Sequence, residues 1–591
     1  MKLNIQKKIA RILAWSLLLQ AFSPVALFAD QTKICCTKPI KPCKPKHKKK
    51  KHYDADYIII GMGTAGAVIA NRLTNDKKTS VIGLEAGDNN NNDEVIEVPA
   101  SGYLNLLPNY YPYYFWQGEQ VIQPQMDNRS FQWTAGRLLG GSSSINGMIV
   151  VRGSNTYWSN MADLLGPDWS LDKTLARYKK LETFIAPFVA SPARGTNGPW
   201  TNVALAFTPT EDNHYLANAM AAASNSPIID DYNDPTTPIG TSLRSDNQVR
   251  PVGDIFLRES TAFAFLNSDV MTPNGFGVNG RKLRVHLRAT AIDLLWNKKN
   301  KVIGVRYTQD GECHEIFARK EVIVSAGFQS AQFLQRNGIG PKDILNAAGV
   351  PVRVENDNVG FFYNHTIPFA LFSIPGAVLV PPTEPWALYS ATAFLPSITP
   401  IVGDPQSAPR EMQWVTVQLA PDLMLLGPAH LNPVSVGTIA IQNDDPFKIP
   451  LVSGNYFGDT EGPGGTSADL ATCVQAFQNF VADLTEYFSN NPAPNGQTWT
   501  LLQPSLDVIN DTAALENYLL ATTFQSHHYT SSTPAGLTPD VAAVDPHGRV
   551  FGTKGLRVAD NSILPYVPDG NTGTPAVLVG WAISDFILAG E

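Results

Sequence analysis

Apolar positions in this chain gather in short runs, and two of them open its folded part: Tyr57-Ile58-Ile59-Ile60 and Ser80-Val81-Ile82-Gly83-Leu84. Runs of this length bounded by turn residues predict buried strands. The residues between them predict a helix from Ala67 to Leu73, which completes a strand–helix–strand unit. Further strands are expected near Leu283–His286, Ala291–Leu295, Val302–Tyr307 and Glu321–Val324, and another over Leu556-Arg557-Val558-Ala559, ahead of a helix from about Pro575 to Ala589. Two stretches alternate instead, Met412–Leu419 and Val436–Ile441. That two-residue period predicts an antiparallel sheet with one buried face. Residues 373–410, rich in proline and glycine, are expected to loop over a cavity. No repeats or coiled-coil heptads occur. The fold class is therefore α/β, a Rossmann-like dinucleotide-binding domain joined to a substrate domain built on an antiparallel sheet.

The turn after the first strand carries chemistry. Gly61-Met62-Gly63-Thr64-Ala65-Gly66 places one glycine at a tight turn, one where backbone must approach a pyrophosphate, and one where a helix must lie close to the sheet. The helix start then directs its amides and dipole at the phosphates. Glu85 ends the second strand about 20 residues on, where a carboxylate can accept both ribose hydroxyls. A 2′-phosphate is disfavoured there, which leaves FAD or NAD and excludes NADP. Gly140-Gly141-Ser142-Ser143 offers a second cradle of exposed amides and hydroxyls, although an ordinary Gly/Ser loop reads the same way. Asp560 and Gly570-Asn571-Thr572 precede the final helix and give a second helix N-terminus facing the same ligand.

Residues 136–153, Gly-Arg-Leu-Leu-Gly-Gly-Ser-Ser-Ser-Ile-Asn-Gly-Met-Ile-Val-Val-Arg-Gly, resemble the first signature of the glucose-methanol-choline (GMC) flavin oxidoreductases. Ser325-Ala326-Gly327 through Asn337-Gly338-Ile339-Gly340-Pro341 is similar to the second signature, with Ala331 and Asn337 in place of a proline and a serine. His430 to Pro433 with Asp445-Pro446-Phe447, and Val544 through Thr572, resemble the C-terminal region. The resemblance spans residues 56–588. It implies non-covalent FAD, because Ile145 stands where some relatives carry a histidine linked to the flavin. It also carries Arg137, Gly140, Gly141, Ser142, Asn146, Gly147, Ala291, Asp560, Gly570, Asn571 and Thr572 into the cofactor-binding set, beside Gly61, Gly63, Thr64, Ala65, Gly66 and Glu85.

The family's Trp-His-Pro-x-Gly-Thr-Cys stretch is matched by Ser526-His527-His528-Tyr529-Thr530-Ser531-Ser532. In that register His527 is the catalytic histidine, Asn571 its partner, and His528 takes the proline position. An imidazole suits removal of a hydroxyl proton as hydride leaves for flavin N5. The segment Val359 to His365 is shorter than the family's by about one residue. The implied substrate is a small-molecule alcohol, with oxygen or another acceptor taking the electrons.

The N-terminus opposes the body in charge. Lys2, Lys7, Lys8 and Arg11 precede an apolar run from Ile12 to Phe28 and Ala29, the layout of a secretory signal, with an uncleaved anchor as the alternative. Residues 30–52 hold nine lysines, three prolines and Cys35, Cys36 and Cys43, with almost no apolar side chains, which predicts an arm without a core of its own. Residues 1–52 carry +12, leaving −19 on the rest of a chain whose net charge is −7. Such an arm suits attachment to an anionic surface or an interchain disulfide, or is a solvated linker. Cys313 and Cys473 read as single thiols, and no C-x-x-C metal spacing occurs. Nothing in the charge pattern points to nucleic acid.

The expected organisation is a signal over residues 1–29, the arm over 30–55 and an N-terminal FAD-binding region over 56–345. A mostly substrate-binding region follows over 346–535, and the C-terminal region over 430–588 returns to the FAD domain at 540–588. The function these residues and the resemblance imply is a secreted or surface-associated FAD-dependent alcohol oxidase or dehydrogenase, with a particle-surface structural protein on the same fold, or a non-oxidative relative of the hydroxynitrile lyase or fatty-acid photodecarboxylase type, as the alternatives.

Overall fold

The computed structural model describes residues 53–89, 91, 93–98, 112–204, 208–381, 389–399 and 409–591. The signal, residues 30–52 of the arm and its three cysteines lie outside the described residues. Parallel strands Leu283–His286, Val81–Leu84, Ala55–Ile60 and the end of Glu312–Val324 stand side by side, and Leu556–Val558 adds a further parallel strand to Glu312–Val324. Ile60, Val324 and Val558 share one register row. Both faces of this sheet are covered, which is why its strands read as unbroken apolar runs. The first strand begins at Ala55, inside the stretch assigned to the arm, because Ala55 pairs with Ala318. The 13-residue strand Glu312–Val324 continues past the parallel region and pairs antiparallel with Val302–Gln309, which in turn pairs with Ala289–Trp296.

The helices Thr64–Thr74 and Gly573–Ala589 begin slightly earlier than their apolar cores suggest. They pack directly together: a Cβ on Gly580 would lie 2.7 Å from the Ala65 carbonyl oxygen. Arg72 sits over the Trp581 ring at 4.0 Å and pairs with Asp585 at 2.8 Å.

A second, antiparallel sheet runs Thr500–Gln503, Ala370–Ser373, Leu423–His430, Met412–Ala420, Thr392–Leu395, Gly240–Ser242. One face packs Met412 and Trp414 against Phe477, Phe480 and Phe488 in a separate core. The other face turns toward the first sheet. Two expectations are corrected. The stretch 373–410 is not only a loop, since Thr392–Leu395 is a wholly buried strand of this sheet. Gly437–Ala440 belongs to a different three-stranded sheet with Phe361–Phe362 and Leu451–Ser453. Cys473 is a buried free thiol, whereas Cys313 is disulfide-bonded rather than free, its partner lying outside the described residues.

Candidate functional site

One cavity of about 440 Å³ runs between the two sheets, and most of the residues singled out in the sequence meet on its wall. Gly61, with φ +90°, makes the turn after Ile60; a Cβ there would stand 2.4 Å from the Ser325 carbonyl oxygen. A Cβ on Gly66 would stand 2.1 Å from the Gly61 carbonyl oxygen, so Gly66 serves helix–sheet packing and does not itself line the cavity. Gly63 differs. Its nearest neighbour to an added Cβ is Gly141 Cα at 3.6 Å, so the protein's own packing does not demand glycine; the cradle is left open on the cavity side. Thr64 and Ala65 follow on a helix start that no side chain caps. The same holds at Thr572 and Gly573, which also line the cavity, giving two bare helix N-termini on it.

Glu85 lies at the end of its strand, where its oxygens accept from the amides of Met62 (3.0 Å) and Gly87 (2.9 Å). Burial nonetheless lifts its pKa to about 7. Each oxygen keeps a lone pair for a hydroxyl donor on the cavity side. Gly141, Ser142, Asn146, Gly147 and Ala291 line the cavity. Asn146 is fixed by Arg258 and Gln248 at 2.9 and 3.0 Å. Asp560 also lines it, accepting from Gly327 N, Ser330 Oγ and Ser562 N. Besides Gly66, three expected residues stand behind the wall. Arg137 lies 4.9 Å over the Trp116 ring, Gly140 makes the left-handed turn beneath Ser144, and Gly570 leaves room for Val151. Arg336, which the sequence did not flag, lines the cavity with its Nε and Nη1 buried and unmatched by any protein acceptor.

At the other end the structure departs from the family register. Asn571 Nδ2 meets His528 Nε2 at 3.2 Å, not His527. His527 lines the same cavity, but with φ +61° its ring is held by Gln525 Nε2 (2.9 Å) and Thr134 Oγ1 (3.2 Å) instead of Asn571. Ser531 carries the left-handed φ of +71° that a motif glycine would take, whereas the register through His527 placed that glycine at Thr530. The match therefore shifts by one residue.

The hydrogen bonds around His528 fix its proton. Gln413 Nε2 donates to Asn571 Oδ1 at 2.8 Å, which turns the Asn571 amide NH₂ toward His528. Nε2 of His528 must then accept, so its proton lies on Nδ1 and is donated to His365 Nδ1 at 2.9 Å. Desolvation holds His528 down at about 3 and His527 at about 4, and pushes His365 well below its ordinary value. All three rings are neutral near pH 7, and His528 presents a bare nitrogen to the cavity. Asn364 Oδ1 accepts from His528 N at 2.7 Å and Ser526 Oγ at 3.0 Å, so the segment ending in Asn364-His365 clamps the histidine loop from behind. The sequence singled out neither Gln413 nor His365 for this role; a polar residue leading an alternating strand was the available sign of the first.

A parallel sheet with two helix N-termini and a glycine cradle on one cavity, faced by an antiparallel sheet and by a loop bearing a neutral histidine, defines a dinucleotide-binding α/β protein. The GMC oxidoreductase family model matches it in two parts, the N-terminal region over residues 55–360 and the C-terminal region over 433–580. The chain belongs to the GMC oxidoreductase family. An uncharacterised GMC-type oxidoreductase of Mycobacterium tuberculosis is 28% identical over 569 residues, covering 90% of this chain and 99% of its own. An oxygen-dependent choline dehydrogenase of Xanthomonas euvesicatoria is 31% identical over 563 residues, with 90% and 95% covered. The crystal structure of pyridoxine 4-oxidase from Mesorbium loti matches with a TM-score of 0.75 over 91% of this chain and 99% of that one, at 22% identity, which is a likeness of fold.

Proposed function

We propose that this protein is an oxidoreductase that binds FAD without a covalent link and oxidises the CH–OH group of an alcohol. The cavity suits the cofactor on its own terms. Gly63 leaves a cradle that a Cβ would fill, two uncapped helix starts answer a pyrophosphate, Glu85 answers ribose hydroxyls, and Arg336 carries donors that the protein leaves unmatched. Ile145, buried on the cavity wall, has no atom that could link to a flavin. Bound FAD supplies the acceptor for the hydride from the carbinol carbon, and oxygen or another oxidant restores it.

The observation that carries the reading is the approach of Asn571 Nδ2 to His528 Nε2 at 3.2 Å on the cavity wall. An alcohol oxygen inserted between the two, in place of their direct hydrogen bond, donates its proton to His528 Nε2 and accepts from Asn571 Nδ2. Gln413 keeps that amide from rotating, and His365 keeps the other proton on His528 Nδ1. Choline and pyridoxine, the substrates in the names of two of the proteins above, are both alcohols. Purified protein should be yellow and release intact FAD on acid denaturation, and an alcohol should bleach the flavin band under anaerobic conditions. Colourless folded protein, or flavin retained in the precipitate, would overturn the reading. The secretory leader and the attachment role of the arm belong to this proposal as well and rest on the sequence alone.

A further inference from the structure

We infer that the alcohol carries a long unbranched apolar tail, laid along the hairpin of strands Met412–Ala420 and Leu423–His430. This rests on the oxidoreductase reading above. Side chains two apart on a strand share a face. Gln413 stands at the reacting end, bonded to Asn571, and Val415, Val417 and Leu419 follow it on the same face, all lining the cavity. Across the ladder Val415 pairs with Gly427 and Val417 with Leu425. The glycine keeps the floor low: a Cβ there would meet Leu425 Cδ2 at 3.0 Å and Ile367 Cγ2 at 3.6 Å. Ile367 and Phe524, themselves paired, stand beside the trough.

Gln413 to Leu419 spans six residue rises, about 20 Å of strand at ~3.3 Å each. That is far longer than one sugar or aryl ring. Among the described residues, the charged members of the wall, Glu85, Arg336, Lys448 and Asp560, do not belong to this hairpin. It offers no carboxylate for a quaternary ammonium and no polar row for sugar hydroxyls. Val417, Leu419 and Leu425 are only half-buried and belong to no packed core, so their apolar surface faces the cavity, whereas Val415 shares its side chain between the cavity and the core around Phe394. A linear alkyl chain is the occupant that covers such a surface.

The test is anaerobic mixing of flavin-loaded protein with butanol, hexanol, octanol, decanol, benzyl alcohol, choline and glucose, followed at the flavin band. The second-order constant for reduction should rise on the order of fourfold per added methylene, and decanol should exceed all three non-alkyl substrates. Val417→Asn, and separately Leu425→Asn, should flatten the rise between hexanol and decanol, with flavin content reporting that each variant is folded. The inference is overturned if choline, glucose or benzyl alcohol outpaces decanol, or if the chain-length slope survives in a folded variant. Reduction by polar alcohols alone sinks this inference and leaves the oxidoreductase reading standing; reduction by no alcohol sinks both.

Discussion

Two adjacent histidines line one cavity with different partners, and on the proposed reading one serves chemistry and the other scaffolding. His528 has its Nε2 at the cavity beside Asn571, whereas His527 spends its ring on Gln525 and Thr134. Replacing His528 with alanine should slow flavin reduction by ~10²-fold or more with FAD still bound, the usual scale for losing a positioned base. Replacing His527 should cost much less, and anaerobic stopped-flow on both variants decides between them. The pH dependence follows from the depressed values. A ring held at about 3 stays neutral, and so competent as a base, well below the ordinary histidine pKa near ~6.5. The reduction rate should therefore show no acidic limb between pH 5 and ~6.5, readable from the same experiment across buffers. Stability moves with the opposite emphasis. Below ~6.5 the unfolded chain takes up protons that the folded one refuses, so the contribution of these rings is full above that pH and is lost as pH falls toward 3. The sequence pointed to this pair of histidines and to Asn571. It could not choose between neighbours, because the choice is made by His365, 163 positions away, and Asn571, 43 away. Gln413 escaped notice for the same reason, its partner lying 158 positions along.

At the scale of elements, the three glycines of the first turn are not equivalent. Gly61 and Gly66 are demanded by the protein's own backbone, whereas Gly63 has room and opens on the cavity. Gly61→Ala, forced to φ +90° against the Ser325 carbonyl, should destabilise the folded chain by about 2 kcal/mol or more. Gly63→Ala should leave the melting temperature of the FAD-free protein nearly unchanged while weakening FAD binding. Thermal denaturation without cofactor and an FAD titration separate the two, and equal loss of stability in both variants would show that Gly63 too is structural. This turn was legible because strand, glycines, helix and Glu85 are neighbours in sequence. The strand Thr392–Leu395 was not, since four residues inside a proline- and glycine-rich stretch carry too little period to be seen. It becomes a strand by pairing with Met412–Val415 and Gly240–Ser242, a tertiary decision.

For the whole molecule, FAD bound in the cavity between the two sheets would contribute to holding them together. FAD at a hundred times its dissociation constant should raise stability by ~2.7 kcal/mol, seen as a higher melting temperature for holoprotein than for apoprotein; an unchanged value would place the flavin outside the cooperative fold. The return of the chain to its first sheet was readable from the strand Leu556–Val558 and the apolar helix after it, but the depth of that return was not. Arg72 donates to the Trp581 carbonyl at 2.7 Å across 509 positions, and Gly580 lets the two helices touch. Translation runs in one direction, so when the glycine turn leaves the ribosome its covering helix has not been made. The nascent chain must wait, with the outer face of Thr64–Thr74 bare and one cavity wall missing, until Gly573–Ala589 emerges. Flavin capture is therefore expected to be a late event: ribosome-stalled chains ending before Leu556 should engage chaperones and retain no FAD, and chains that have exposed Ala589 should bind it.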